Sequence, residues 1–194
     1  AIGEWTLQQA CTEAARWPNG LIVSINLAVS QFWAADFTRS IINALATTGL
    51  TADRLEIEIT EKVIHDNAEE AMKILRRISD LGVLIALDDF GAGFSSLTYM
   101  RQFPFHKIKI DRSFIMGLSG REDSRVIIRT LARLGTGLGM LTTAEGVETK
   151  EQLDIVRAEG CAEMQGYYFS APKTAEEIRK LFLATPSERE PAVA

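Results

Sequence analysis

Along the chain, short apolar runs that alternate with polar residues are separated by longer stretches in which apolar positions recur every three or four residues. The first pattern has the period of a strand and the second that of an amphipathic helix. Read this way, helices are expected at about 3–16, 30–47, 68–81 and 123–138, with strands at 21–27, 54–60, 83–88, 107–111, 140–145 and 163–169. Gly49, Gly82 and Gly160 each follow a helical stretch, where a residue free to turn left-handed ends a helix. Asn67 is placed as an N-cap, with Ala71, Ile74, Leu75 and Ile78 forming the apolar stripe behind it. Thr149 with Gln152, and Thr174 with Glu177, have the spacing of capping boxes that open two further helices. Between the third and fourth strands lie a glycine-rich loop (Gly91, Gly93) and a short helix at about 96–102.

Strands alternating with helices in this way imply a parallel sheet covered by helices, either an open doubly wound sheet or a barrel. The strands themselves favour the barrel. In the second strand Leu55, Ile57 and Ile59 face one way while Glu56, Glu58 and Thr60 face the other. In the fourth, Ile108 and Ile110 oppose Lys107, Lys109 and Asp111. An open sheet with helices on both faces needs apolar residues on both sides of a strand. A barrel with a polar mouth needs this split.

Each strand also ends in a polar or charged residue: Asn26, Glu58, Asp88 with Asp89, Lys109 with Asp111, Glu145, and Gln165. In (β/α) barrels the C-terminal strand ends converge on the face that carries the active site. Composition narrows what such a site can be. With 21 basic against 26 acidic residues, a net charge of −5, the chain lacks the basic footprint of a protein that coats DNA or RNA. Cys11 and Cys161 are the only cysteines and form no metal-ligand or disulfide spacing, which fits a reducing, cytoplasmic setting. No apolar stretch has the length of a membrane helix, and the N-terminus lacks the layout of a signal peptide.

Five carboxylates (Glu58, Asp88, Asp89, Asp111, Glu145), the Asn26 amide and the Lys109 ammonium would then share one mouth. That much negative charge stays ionised in a partly buried site only beside cations. Oxygen donors without cysteine or a well-placed histidine favour Mg2+ or Mn2+ over Zn2+, and the Asp88-Asp89 pair suits two ions. Each signal has a plainer reading when taken singly. Asp88-Asp89-Phe90-Gly91 is also a turn after a strand, and Lys109 beside Asp111 is also a salt bridge. Trp5, Trp17 and Trp33 read as packing residues, and His65 and His106 as surface or structural histidines.

Five strings, in this order and spacing, resemble the EAL domain, the cyclic-di-GMP phosphodiesterase of bacterial signalling. They are Glu58-Ile-Thr-Glu61, the segment from Asp88 to Leu97 (DDFGAGFSSL), Lys109-Ile-Asp111, Ala144-Glu-Gly-Val-Glu-Thr149 and Gln165-Gly166. The resemblance runs from about Ile2 to Phe182. It implies a modified TIM-type (β/α)8 barrel, about six of whose eight strands are present, that hydrolyses cyclic di-GMP to linear pGpG with Mg2+ or Mn2+. By motif, Asn26, Glu58 and Asp88 are expected to bind one metal and Asp89 and Asp111 a second, with Glu145 acting through a metal-bound water. Lys109 corresponds to the lysine that assists the nucleophile, and Glu61 to the residue that steadies the glycine-rich loop, itself a dimer contact. Glu148 is expected just outside the ligands and Gln165 near the substrate.

Ala92 and Phe94 stand where the family usually has Thr and Tyr. The Glu-Ala-Leu string itself would precede Gly3, so the chain reads as a barrel domain over 1–184, incomplete at its N-terminus, with a loose tail over 185–194 and other signalling domains in the parent protein. Two further readings remain at this point: a domain that binds cyclic di-GMP without cleaving it, and a fragment left inactive by the missing strand.

Overall fold

The computed structural model describes residues 2–18, 20–91, 100, 102–103, 105–119 and 122–183. Six strands lie parallel in the order of the chain: β1 (Val23–Asn26), β2 (Leu55–Thr60), β3 (Leu84–Phe90), β4 (Lys107–Ile110), β5 (Leu141–Glu145) and β6 (Glu163–Gln165). The sheet curls into a half-barrel with the helices outside it, the α/β architecture of TIM-like barrels. Among the described residues these helices include α1 (Ile2–Ala14), α2 (Val29–Phe32), α3 (Phe37–Thr48), α4 (Glu61–Asp66), α5 (Ala68–Asp80), α6 (Arg112–Met116), α7 (Glu122–Gly137), α8 (Lys150–Ala158) and α9 (Ala175–Leu183). Among the described residues no helix is long and apolar enough to cross a membrane.

The period-two pattern accounts for the layering. Leu55, Ile57, Ile59, Ile85, Ile108 and Ile110 turn away from the charged face and are essentially inaccessible. In the apolar layer between sheet and helices, the first five share a cluster with helix residues such as Ile41, Leu75 and Ile78, and Ile110 shares a second with Ile115 and Ile128. Burying each such side chain contributes about 1.5–3 kcal/mol, so Ile57→Ala would cost roughly 2–5 kcal/mol. Helix ends follow local chemistry. Asn67 accepts from the Glu70 N–H, the Thr149–Gln152 box is formed, and Thr174 and Glu177 exchange hydrogen bonds at the start of α9. Gly49 closes α3 with φ 73°. Arg54, at the entry to β2, donates to the carbonyls of Ala14 (2.7 Å) and Leu21 (2.8 Å), tying the end of α1 to the sheet.

Several elements differ from the pattern reading. The helix expected at 30–47 is two helices, interrupted at Trp33–Asp36. Two short helices, α4 and α6, have no counterpart in the expectation, and the last strand stops at Gln165 because residues 167–169 turn. Ala92 to Leu97 of the glycine-rich loop, most of the helix expected at 96–102, and the tail at 185–194 lie outside the described residues.

Candidate active site

The inward residues of neighbouring strands stand side by side in register: Asn26 beside Glu58, Thr60 beside Asp88, Lys109 beside Thr143, and Glu145 beside Gln165. The strand ends thus bring Glu58, Asp88, Lys109 and Glu145 together. Lys109 Nζ lies 2.7 Å from Glu58 Oε2, 2.6 Å from Glu145 Oε1 and 3.4 Å from Asp88 Oδ1. Glu58, Asp88 and Lys109 are all buried. Burial pushes the Glu58 and Glu145 carboxyls above the usual range, and the Lys109 ammonium opposes that rise. Burial alone would lower the Lys109 pKa, but its hydrogen bonds to Glu145 and Glu58 raise it above the ordinary lysine value. The lysine is therefore a fixed cation in the physiological range.

Asn26, at the exposed end of β1, has its amide beside two of these acids. Oriented with nitrogen inward, it donates to Glu58 Oε2 at 3.2 Å and Asp88 Oδ2 at 3.0 Å. The opposite orientation would set three oxygens face to face, an arrangement favoured only around a cation.

Asp89 departs from strand geometry. Its φ of 53° makes it the one non-glycine residue in the left-handed region among the described residues, and the β3–β4 register shifts between Leu87 and Phe90. An unbroken strand would send successive side chains to opposite faces. The break instead lets carboxylate oxygens of Asp88, Asp89 and Glu145 lie within 4.8 Å of one another. The Asp89 N–H donates to Asp88 Oδ1 at 3.0 Å. Burial, with Asp88 and then Asp111 as negative neighbours, raises the Asp89 carboxyl above its ordinary value.

Asp111 lies just past β4 and caps α6: its Oδ1 accepts from the Ser113 N–H at 2.9 Å and from the Ser113 hydroxyl. One carboxylate oxygen is thus held by the helix. Glu61 opens α4, while the segment it is expected to steady is largely outside the described residues. Glu148 is exposed, and its backbone N–H is held by Gln152 Oε1 at 2.8 Å. Gln165 ends β6, exposed at the rim.

A second charged layer lies beneath the mouth and was not singled out from the sequence. Lys107 Nζ contacts Glu56 (3.1 Å) and Glu163 (2.9 Å), Ser24 donates to Glu56 (2.6 Å), and Thr143 donates to Glu163 (2.9 Å). The signal was the same two-residue period that marks Glu58 and Lys109, followed one step further down each strand.

The donor set fits a hard divalent cation. It consists of carboxylate oxygens gathered where like charges would otherwise repel, with the Asn26 amide beside them able to turn its oxygen inward toward a cation. A protein-family model described as EAL domain matches residues 1–172. The uncharacterized protein y4lL of Sinorhizobium fredii is 47% identical over 180 residues, covering 93% of this chain and 22% of that protein. MucR of Pseudomonas aeruginosa, a bifunctional diguanylate cyclase/cyclic di-GMP phosphodiesterase, is 36% identical over 181 residues, 91% of this chain and 26% of that protein. The chain spans about a quarter or less of the length of the curated relatives it matches. Among solved structures, a PaMucR phosphodiesterase complex with c-di-GMP superposes with a TM-score of 0.87 at 36% identity, covering 91% of this chain and 73% of that one. A manganese/cyclic-di-GMP complex of Klebsiella pneumoniae BlrP1 gives a TM-score of 0.81 at 29% identity, covering 88% of this chain and 44% of that one.

Proposed function

This chain belongs to the EAL domain family, and from that premise we propose that it hydrolyses one phosphodiester bond of cyclic di-GMP to give linear pGpG, with Mg2+ or Mn2+ as cofactor. The observation that carries the reading is the convergence of Asp88, Asp89 and Glu145 oxygens within 4.8 Å, beside the Lys109 ammonium. The setting proposed is a cytoplasmic signalling protein longer than this chain, acting as a homodimer.

In the reaction a water oxygen bonds to phosphorus, the bond from phosphorus to the ribose 3′ oxygen breaks, and the leaving oxygen takes up a proton. Divalent cations, when bound, acidify water and offset charge on the phosphate. Asn26, Glu58 and Asp88 are suited to hold one ion, and Asp89 with the other oxygen of Asp111 the second, Asp88 being near enough to share. Lys109, pinned between Glu58 and Glu145, keeps its proton, so its part is electrostatic: a buried cation directed at negative charge that develops on oxygen. Glu145 is the acid best placed to orient a water and receive its proton, and Gln165 borders the substrate. Glu148 and Glu61 act on loops, Glu148 through the segment after β5 and Glu61 through the glycine-rich segment.

Incubating the chain with cyclic di-GMP and Mn2+ or Mg2+, and resolving the nucleotides by chromatography, tests the proposal. Linear pGpG should appear, and Asp88→Ala and Lys109→Ala should slow its formation by roughly a hundredfold or more. Tight binding without turnover would replace the enzyme with a nucleotide receptor.

A further inference from the structure

Directly beneath the site, five strands repeat its polar character two residues earlier: Ser24 below Asn26, Glu56 below Glu58, Lys107 below Lys109, Thr143 below Glu145, and Glu163 below Gln165. The two layers share a plan. Above, Lys109 bridges Glu58 on β2 and Glu145 on β5; below, Lys107 bridges Glu56 on β2 and Glu163 on β6. Barrel interiors of this class are normally filled at such levels by branched apolar side chains. Here Glu56 is a carboxylate only 1% exposed, held by Ser24 and Lys107.

A buried ion bridge of this kind adds little net stability compared with apolar side chains of the same volume. What it adds is geometry. Backbone hydrogen bonds join each strand to its neighbours, β2 to β3 to β4 and so on to β6, but such pairing is compatible with a range of strand-to-strand rotation, roughly −10 to −35°. The lower bridge skips neighbours: Lys107 on β4 pulls β2 and β6 inward at once. That pull sets how far Glu58 and Glu145 stand apart two residues higher, and hence where Lys109 is pinned and where the acids converge.

We infer that Glu56 and Lys107 are positioning residues, a charged frame beneath the site that fixes the sheet curvature needed to bring the ligand carboxylates and Lys109 together. This rests on the reading of the upper layer as a divalent-cation site. Neither residue contacts the reacting atoms. Their effect passes through the strands that also carry Glu58 and Lys109.

The test is Mn2+ binding to the whole chain, measured by calorimetry with the metal alone, alongside urea unfolding and hydrolysis of cyclic di-GMP. Lys107→Met alone would strand the Glu56 carboxylate in the interior. The informative variant therefore pairs Lys107→Met with Glu56→Gln, leaving no buried charge without a partner at those positions. It should unfold cooperatively yet bind Mn2+ about tenfold more weakly or worse, the usual scale for losing a support behind metal ligands. Its kcat should fall while KM stays close to wild type. Glu56→Gln alone, which keeps the volume and the Ser24 contact, should show a smaller loss in the same direction, and Lys107→Arg, which keeps the cation, should stay near wild type. A double variant or a Glu56→Gln chain that is folded and binds Mn2+ with wild-type affinity overturns the inference, and so does a wild-type chain that binds no Mn2+. A wild type that binds Mn2+ without hydrolysing cyclic di-GMP would sink the proposed activity, and the affinity comparison would still decide the role of the frame.

Discussion

Gly166 crosses Val147 so closely that a Cβ at position 166 would lie 2.1 Å from the Val147 carbonyl oxygen and 2.4 Å from its nitrogen. The contact is part of a backbone clasp: the Val147 N–H donates to the Gln165 carbonyl and the Tyr168 N–H to the Val147 carbonyl, both at 3.0 Å. It ties the segment after β5, which begins at Gly146, to the end of β6. Because the clash is with backbone, no rotamer relieves it. Gly166→Ala should destabilise the fold by about 3 kcal/mol or more, beyond the usual range for overpacking, and urea unfolding would read this directly. A loss under 1 kcal/mol would mean that the clasp yields easily.

Replacing Lys109 should separate chemistry from stability. Lys109→Met removes the cation between Glu58 and Glu145 while keeping most of the side-chain volume. Turnover should drop by roughly 10²–10³, as expected for a lost electrostatic donor, and without divalent ions stability at pH 7 should fall by about 3–5 kcal/mol, the cost of stranding buried charge. The pH dependence has a definite sign. Both carboxyls already sit above their unfolded values, so the folded state binds the extra protons and stability rises as pH falls toward the unfolded carboxylate range. The variant should regain stability between pH 7 and pH 5 more steeply than wild type. A flat difference across that interval would contradict the assignment of Lys109 as their counter-ion.

The conformation of Asp89 gives a third test. Asn and Gly both tolerate its left-handed backbone, whereas Ala pays roughly 1–2 kcal/mol for it. Without metal, Asp89→Asn should be as stable as wild type or slightly more so, since a charge facing Asp88 and Asp111 is removed. With free Mn2+ at a hundredfold its Kd, wild type should gain about 2.7 kcal/mol. Asp89→Asn and Asp89→Gly should lose most of that gain. Thermal unfolding with and without Mn2+ distinguishes the cases, and equal gains in all three proteins would remove Asp89 from the ligand set.

Parts of this site were legible because they follow from local periodicity. Glu58 and Lys109 share a face with Glu56 and Lys107 through the two-residue strand repeat, and the convergence of strand ends is a property of barrels. Other parts depend on contacts distant in sequence. Nothing in Asp88-Asp89 announces that the second residue turns left-handed, because the break arises where β3 pairs with β4. Residues 163–169 contain an apolar run that looks like one strand, yet it stops at Gln165, after which Gly166 meets Val147 and residues 167–169 turn. Helices α4 and α6, at six and five residues, are too short to hold without packing, here through buried Val63, Ile64 and Ile115.

His106 supplies a pH effect away from the carboxylates. Its backbone N–H donates to the Ile85 carbonyl at 3.0 Å, and its Nδ1 accepts from the Ile85 N–H at 3.1 Å, so the ring stands in for a rung between β3 and the approach to β4. An acceptor Nδ1 requires the neutral ring. Burial lowers the His106 pKa below its ordinary 6.5, with Glu56 opposing. The unfolded chain therefore takes up this proton first as pH falls. The stabilisation is complete above about 6.5 and is lost as pH drops through the folded value. Asn places an amide oxygen near the position of Nδ1 and does not titrate, so His106→Asn should keep the bond to Ile85 and flatten stability between pH 7 and pH 5. Urea unfolding of both proteins over that range measures it, and the shared carboxylate contributions cancel in the difference. Parallel curves would show that the ring bond to Ile85 does not govern proton uptake on unfolding.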